Sequence, residues 1–210
     1  VVIAPLRSAV LLAKICATLD VISKGRLEIG VGTGWQKEEY DASNIEFDNR
    51  LSVLKEQLEV CKELWSNVPA KFSGKHISFE SIYSVPLPKQ KGGVPFWFGI
   101  AANESNADLI AEFGLGWIPI QPNPEFISRG VNIIKEGFLR AGKDPEKLRV
   151  RGQLRMGFDR NGKPCIDKTL ESLEEGLNVG ITDLEVFPSV FIENLDQLPN
   201  LFDNLIKLKS

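Results

Sequence analysis

The alternation of short apolar runs with longer stretches of helical periodicity constrains the fold of this chain most. Val1–Ala4 and Leu27–Val31 are strand-like runs, and each precedes a stretch with helical spacing. The first helical stretch carries bulky apolar residues on one face: Leu11, Ile15, Leu19 and Ile22. Strands that alternate with helices in this way form a parallel sheet. We therefore predict an α/β fold.

Six strand-then-helix units follow one another without a repeat or a linker. The later strands are predicted at PFWFGI, WIPI, residues 148–156 and residues 181–187. One helix is predicted before Gly114, which ends it, and the next starts at Pro124 after an Asn123 cap and ends at Gly142. A further helix is predicted at about residues 168–179, and a last one runs through Leu201, Leu205 and Leu208. An open doubly wound sheet accommodates six units, whereas a closed (β/α)₈ barrel needs eight and about 250 residues. Two further units of about 30 residues each would make up the difference for these 210 residues.

Two segments depart from the simple alternation. The stretch at about 71–93 is rich in β-formers, Pro and Gly, so we predict an inserted loop with a short hairpin there, and we expect its His76 to be solvated. The helix after Asp48 has an apolar stripe, and its charged face is predicted to be solvated: Lys55, Glu56, Glu59, Lys62 and Glu63.

Composition excludes several classes of function. A formal net charge of −3 gives no basic field for nucleic acid, and the longest apolar runs are too short to cross a membrane. The three cysteines, Cys16, Cys61 and Cys165, have no metal-ligand spacing, so we predict no metal site and a reduced, cytoplasmic setting. The chain starts inside an apolar run and its one methionine is Met156, so we expect a further structural unit upstream of Val1.

The stretch RLEIGVGTGW, Arg26–Trp35, places a glycine-rich turn at the end of a strand. A methyltransferase loop has this composition, but it needs a second strand that ends in an acid, and no such strand follows Gly34. The dinucleotide pattern G-x-G-x-x-G also fails, because the third glycine comes one residue early. A structural turn, a binder of S-adenosylmethionine and another cofactor loop therefore stay open. Glu28 is assigned no ligand, since it lies on the strand.

The flanking residues resemble one family when they are taken in order. PLRSAVLLAKICATLDVISKGRLEIGVGTGW, then VPFWFGIAANESNADLIAEFGLGWIP and FLRAGKDPEKLRV, are similar to the luciferase-like monooxygenase superfamily, especially its branch that depends on the deazaflavin coenzyme F-420. The resemblance is clear over residues 1–158 and implies a TIM-type (β/α)₈ barrel, here an incomplete barrel of six units that lacks its first two. We therefore predict that residues 1–210 form a single domain.

The resemblance also implies where a cofactor binds. Relatives can form a cis peptide against one face of the ring at the positions of Val1 and Val2. Gly32, Thr33 and Gly34 would approach the cofactor with backbone amides and a hydroxyl, and Trp35 would lie beside it. Trp35 stands where sugar-phosphate dehydrogenases of the branch have a catalytic glutamate, which argues against that substrate.

Two further positions belong to the implied site. Glu38 falls where that branch places an asparagine on the cofactor. The loop after PFWFG, with Gly99, Ile100 and Ala101, is where relatives seat the cofactor phosphate with two glycines, and Asn103 would cap the next helix there. No catalytic residue can be assigned.

The leading hypothesis is a flavin- or deazaflavin-dependent oxidoreductase or monooxygenase. It would use F-420 in preference to FMN, act on a small organic substrate, and bind neither nucleic acid nor membrane. An inactive, truncated barrel is the alternative, and a methyltransferase is a remote one. We also expect a homo-oligomer, a dimer, because the helix at residues 8–22 corresponds to a dimer-forming helix in relatives.

Overall fold

A computed structural model describes residues 1–206. Its main element is a six-stranded sheet in which all neighbouring strands are parallel. The strands of this sheet are β1 (Val2–Ile3), β2 (Ile29–Gly32), β5 (Phe96–Phe98), β6 (Gly114–Trp117), β7 (Arg149–Gly152) and β8 (Asp183–Leu184). Their order in the sheet is their order in the chain.

Helices lie between the successive strands of the sheet and after the last one. They are α1 (Ala9–Ile22), α2 (Lys37–Ala42), α3 (Arg50–Ser66), α4 (Glu104–Phe113), α5 (Pro124–Arg140), α6 (Ile166–Leu170), α7 (Leu173–Asn178), α8 (Pro188–Phe191) and α9 (Leu198–Ile206). Short 3₁₀ turns lie at Ala4–Leu6, Phe47–Asn49, Pro145–Lys147 and Leu195–Gln197. Leu208, predicted to lie on the last helix, is outside the described residues.

The strand order decides between the two architectures that the sequence allows. A doubly wound sheet reverses direction at a switch point, whereas barrel strands are added one after another around the ring. Here the order runs without a reversal from β1 to β8. The fold is therefore an incomplete α/β barrel, as predicted, and it is not the doubly wound sheet that a methyltransferase would need.

The two faces of the sheet differ in character. Phe96 of β5 faces the helices and stacks on Trp65 of α3, with ring centroids 5.6 Å apart. Trp97, the next residue, faces the other side, where its indole N–H donates to Glu28. This second side corresponds to the interior of a barrel, and we call it the inner face.

The hairpin predicted at residues 71–93 is confirmed. It consists of antiparallel β3 (Ala70–Ser73) and β4 (Ser78–Ile82). Its turn is held by the Glu56 carboxylate, which accepts hydrogen bonds from the backbone N–H groups of Lys75, His76 and Ile77 at 2.7, 2.8 and 3.0 Å. The prediction that Glu56 is simply solvated is therefore wrong, because it anchors this turn to α3.

His76 is only partly exposed. Its ring Nε2 lies 3.0 Å from the Ser52 hydroxyl oxygen on α3. The expectation of a freely solvated histidine is therefore also wrong, because the anchored turn brings the ring against the helix.

Other boundaries differ from the sequence prediction for local reasons. The strand predicted at WIPI is Gly114–Trp117, because α4 ends directly where the strand begins. The strand predicted at residues 148–156 is only Arg149–Gly152, and residues 168–179 contain the end of α6 and the whole of α7 in place of one helix. The cis peptide bonds of the described residues precede Pro69 and Pro86, so the bond between Val1 and Val2 is trans.

The buried face of the first helix is not the face that carries its bulky apolar residues. Small and medium residues of α1 are buried: Ala9, Leu12, Ala13, Cys16 and Ala17. The predicted apolar stripe, which we call the α1 stripe, is exposed: Leu11, Ile15, Leu19 and Ile22. Trp65 of α3 closes the contact from the other side, since its indole N–H donates to the Ala13 carbonyl at 3.0 Å.

Candidate functional site

The carboxyl ends of the parallel strands bring the predicted site residues to one edge of the sheet. Gly32–Trp35 leaves β2 there, and Gly99–Ala101 leaves the neighbouring β5. Ile3, which ends β1, and Val1, which precedes it, lie on the other side of β2. Barrel enzymes carry their active sites at this edge. We call these three segments the cofactor edge.

Two glycines of the cofactor edge leave no room for a Cβ of their own. A Cβ on Gly32 would lie 2.8 Å from the Gly99 carbonyl oxygen and 3.0 Å from Val1 Cγ1. A Cβ on Gly99 would lie 3.0 Å from Val1 Cγ2. The backbones of β2 and β5 therefore approach closely, and the Val1 side chain lies directly over them while remaining 70% exposed.

The turn after β2 is fixed by its backbone. Gly34 has a φ of +67°, a conformation that favours glycine, and a Cβ there would meet Ile3 at 3.0 Å. The Tyr40 hydroxyl donates to the Thr33 carbonyl oxygen and fixes the turn to α2. Trp35 then lies beyond the turn with 84% of its surface exposed, so its indole is available for a planar ligand. Glu38 is exposed on α2.

The loop after β5 has a rigid backbone. Ile100 is buried at 4% exposure, and its carbonyl oxygen accepts a 2.9 Å hydrogen bond from the Trp117 indole N–H. The Asn106 side-chain amide donates to the Ala101 carbonyl oxygen at 2.8 Å. The side chain of Ile100 therefore belongs to the core, and only its backbone N–H stays available to a ligand.

Asn103 caps α4 as predicted. Its side-chain oxygen accepts from the Asn106 backbone N–H at 2.9 Å, which leaves the other amides of the first turn for an anionic group. Gly114 ends the helix, also as predicted. The loop after β5 thus offers an anion a helix N-terminus but lacks the second glycine of relatives.

A cluster of charges lies on the inner face below the cofactor edge. Glu28 accepts hydrogen bonds from Trp97, Arg149 and Arg151, and Arg149 also pairs with Asp183. Both guanidinium groups lie over the Trp97 ring, at 4.8 and 4.1 Å from its centroid. We call Glu28, Trp97, Arg149, Arg151 and Asp183 the inner cluster. The sequence prediction gave Glu28 no partner, and the structure makes it the centre of this cluster.

The inner cluster changes the pKa values of its carboxylates. Burial alone would raise the pKa of Glu28, but the Trp97 hydrogen bond and the arginine charges outweigh burial and lower it. The pKa of Asp183 is lowered in the same way, because the Arg149 and Thr182 bonds outweigh burial. Both carboxylates are therefore ionised at neutral pH and paired with arginine.

Two polar residues at the carboxyl ends of β7 and β8 were missed in the sequence. Gln153 and Glu185 lie two residues beyond Arg151 and Asp183, so strand alternation places them on the inner face at the ends of β7 and β8. The Gln153 side-chain amide donates to Glu185 Oε2 at 3.0 Å. The alternating polar residues of RVRGQ and TDLE were the signal that would have found them.

The residues of the cofactor edge fit a flat, mainly apolar ring with an anionic tail. The Val1 side chain covers Gly32 and Gly99 and, with Ile3, offers an apolar surface to a ring, and the N-terminus of α4 follows the loop after β5. The sequence model of one protein family, described as luciferase-like monooxygenase, matches residues 1–172 of this chain. The chain belongs to the luciferase-like monooxygenase family.

Two curated relatives illustrate the range of this family. An uncharacterised protein of Mycobacterium tuberculosis is 34% identical over 133 residues, which are 63% of this chain and 46% of the relative. The F-420-dependent glucose-6-phosphate dehydrogenase of Mycolicibacterium gilvum is 26% identical over 166 residues, 75% of this chain and 48% of that enzyme. The matched part of this luciferase-like chain thus spans about half the length of each relative.

A solved structure agrees with the barrel architecture. The coenzyme F-420-dependent tetrahydromethanopterin reductase from Methanopyrus kandleri superposes with a TM-score of 0.71 at 18% identity, over 85% of this chain and 73% of the reductase. This likeness shows the luciferase-like fold.

Among the helices of residues 1–206, none has both the length and the apolar character that crossing a bilayer requires.

Proposed function

We propose that this luciferase-like protein is an oxidoreductase that binds reduced F-420, or FMN as the second choice, at the cofactor edge. The observation that carries the proposal is the apolar surface that Val1 forms over Gly32 and Gly99 at the carboxyl ends of β2 and β5. When bound, such a cofactor supplies hydride to an organic substrate or, as FMN, reacts with oxygen. The cysteines are all free thiols, which fits a cytoplasmic setting.

The residues of the cofactor edge would bind and orient the ring. The ring would contact the Val1 side chain, which lies on Gly32 and Gly99, and Ile3, beside Gly34, would supply a further apolar contact. Trp35, whose surface is 84% exposed, would stack on the ring and shield part of it from water. The N-terminal amides of α4, next to Ala101, hold the anionic part of the cofactor.

F-420 is favoured over FMN because the G-x-G-W form of the loop and its flanks resemble the F-420 branch. Trp35 in place of a catalytic glutamate favours a substrate other than a sugar phosphate. Gln153 and Glu185 face the inner side at the same edge and would hydrogen-bond to the polar part of a small organic substrate. Glu38 lies at the exposed rim.

Titration of the purified protein with F-420 and, separately, with FMN tests the proposal by absorbance and fluorescence. We expect saturable binding of at least one, with F-420 the tighter ligand. Gly32→Ala should weaken binding, because its Cβ meets the Gly99 carbonyl and Val1, whereas Gly30→Ala, whose nearest contacts are at 3.4 Å, serves as the matched control. Circular dichroism checks that both variants fold.

A second candidate function is a non-enzymatic, self-associating barrel fragment. It is favoured by the exposed α1 stripe and by the outer strands β1 and β8, each of which has a neighbour on one side only in the described sheet. Binding of neither cofactor in the titration would leave this candidate as the better one. Binding of S-adenosylmethionine would contradict both candidates.

A further inference from the structure

A buried tyrosine holds the turn that follows β2. The side chain of Tyr40 is fully buried, and its hydroxyl donates to the Thr33 carbonyl oxygen. Burial raises the pKa of the Tyr40 phenol, so the hydroxyl keeps its proton and acts as the donor. Tyr40 lies on α2, seven positions further along the chain, so this hydrogen bond ties the turn to an element outside the sheet.

The Thr33 carbonyl sets the direction of the Gly34 N–H. The two groups belong to one peptide unit, and this unit is trans, because the cis peptide bonds of the described residues precede Pro69 and Pro86. In a planar trans peptide the C=O and N–H bonds point in opposite directions. The Gly34 N–H is therefore directed away from Tyr40, and no group in the described part of the chain accepts a hydrogen bond from it.

The other side of the turn is also restrained. Gly34 has a φ of +67°, and a Cβ there would lie 3.0 Å from Ile3 Cδ1. The peptide unit before Gly34 is held by Tyr40, and the Gly34 backbone packs against Ile3. The direction of the Gly34 N–H is therefore fixed before any ligand binds.

Residues before α3 hold the Tyr40 ring itself. The Phe47 ring packs edge-on against it, with ring centroids 5.2 Å apart and an interplanar angle of 88°. The Arg50 guanidinium lies 3.8 Å from the Phe47 ring centroid and donates to the Phe47 carbonyl oxygen at 2.9 Å. The Ile45 N–H donates to the Tyr40 carbonyl oxygen at 3.0 Å. Because the ring is held on these sides, the Tyr40 hydroxyl stays on Thr33.

We propose that Tyr40 is a positioning residue of the cofactor edge. Through the Thr33 carbonyl it presents the Gly34 N–H to an acceptor oxygen of the bound ring, and it does not touch the ring itself, because it is fully buried. This inference rests on the proposed cofactor site. A donor that is already oriented loses less conformational freedom when the ligand binds, so the restrained turn increases the affinity for the cofactor.

Titration of F-420 against the parent protein, Tyr40→Phe and Tyr83→Phe tests the proposal. These are the two tyrosines of the chain, and each variant loses one hydroxyl, buried in the first and exposed in the second. We expect Tyr40→Phe to bind F-420 about tenfold more weakly, as for one lost hydrogen bond, and Tyr83→Phe to bind as the parent. Equal affinities of Tyr40→Phe and the parent would overturn the inference alone. Binding of neither F-420 nor FMN by the parent would refute the proposed function, and the inference with it.

Amide NMR spectra distinguish positioning from a general loss of structure. In the parent, saturating F-420 should shift the backbone amide signals of Gly34 and of Ile100, which lies on the neighbouring loop after β5. In Tyr40→Phe at saturation, the Gly34 shift should largely disappear while the Ile100 shift is retained. An unchanged Gly34 shift, or equal losses at Gly34 and Ile100, would overturn the inference.

A second variant keeps the test valid if circular dichroism shows that Tyr40→Phe does not fold. Phe47→Leu, at a half-buried position, loosens the Tyr40 ring and leaves its hydroxyl in place. It should weaken F-420 binding several-fold and decrease the Gly34 shift. Unchanged F-420 binding in Phe47→Leu would then overturn the inference.

Discussion

The indole N–H of Trp97 donates a 2.8 Å hydrogen bond to Glu28 Oε2, which joins the middle of β5 to the residue just before β2. Trp97 is fully buried, so its N–H has no access to water as a substitute acceptor. Glu28 is also the carboxylate between Arg149 and Arg151, whose side chains are 37% and 33% exposed. One carboxylate therefore satisfies a buried donor and balances two arginines on the inner face.

Replacing Glu28 with Ala should destabilise the fold. The Trp97 N–H would be left without an acceptor and the inner cluster would gain a net positive charge, which together should cost about 1–3 kcal/mol of unfolding free energy. Urea denaturation followed by circular dichroism measures the change. Glu80→Ala, which breaks the exposed pair with Lys71, is the control and should change stability by less than about 0.5 kcal/mol. Equal midpoints for the two variants would contradict the role of Glu28.

Acid should weaken the fold through the same cluster. The folded-state pKa values of Glu28 and Asp183 are lowered from their ordinary 4.5 and 3.8, so the unfolded chain binds protons at a higher pH than the folded chain. Their stabilisation is complete above those ordinary values and is lost as pH falls through the lowered ones. We expect the melting temperature to fall below about pH 4, less steeply in Glu28→Gln. A melting temperature that falls with pH as steeply in Glu28→Gln as in the parent protein would contradict this role of Glu28.

The Glu56 carboxylate should hold the hairpin turn in place. It accepts three backbone hydrogen bonds from residues 75–77, and these bonds outweigh burial and lower the pKa of Glu56. In Glu56→Ala we expect hydrogen exchange at these amides to accelerate about tenfold or more, since a charge-assisted bond contributes about 1.5–3 kcal/mol. Glu59→Ala, on the same helix, should leave their exchange unchanged. Protection that survives in Glu56→Ala would show that the turn needs no anchor.

The sequence predicted elements whose signals are local. Asn103 and Gly114 bound α4, and Asn123 with Pro124 begins α5, because caps and fixed φ values act within one turn. The six units and the family were also accessible, since alternation and ordered motifs run along the chain. The glycine turn after β2 was recognised for the same reason, as Gly34 requires its positive φ whatever surrounds it.

Contacts between distant residues could not be predicted in this way. Arg149 reaches Glu28 across 121 positions, and Glu56 binds amides 19 to 21 positions away, so neither partner is visible in a local pattern. The sequence does not decide which face of α1 is buried, because both of its sides are apolar. Small residues such as Ala13 and Ala17 let α1 pack closely on α3, and this excluded the bulkier α1 stripe from the core.

The α1 stripe should mediate self-association. Four large apolar side chains, from 46% to 70% exposed, lie along one helix face: Leu11, Ile15, Leu19 and Ile22. Exposed apolar patches of this kind favour contact with a second copy. Light scattering after size exclusion should show a dimer at micromolar concentration, and Ile15→Glu should shift it toward monomer. Lys14→Glu, an exposed neighbour outside the stripe, is the control. A monomeric parent protein would contradict the proposed dimer.

Trp35 should report ligand binding at the cofactor edge by its fluorescence. It is 84% exposed, whereas Trp65, Trp97 and Trp117 are exposed by 7%, 0% and 0%. Acrylamide should therefore quench mainly the long-wavelength emission of Trp35. Trp35→Phe should remove that emission and change the unfolding free energy by less than about 0.5 kcal/mol, as for a surface substitution.

The proposed position of the ring predicts the effect of F-420 on the same emission. F-420 should quench the Trp35 emission in the parent protein and leave most emission of Trp35→Phe unchanged after correction for absorbance. Tyr83→Phe, at an exposed position on the far end of the hairpin, is the matched control and should behave as the parent. Equal quenching by F-420 in the parent and in Trp35→Phe would place the ligand away from Trp35, even where titration shows that it binds.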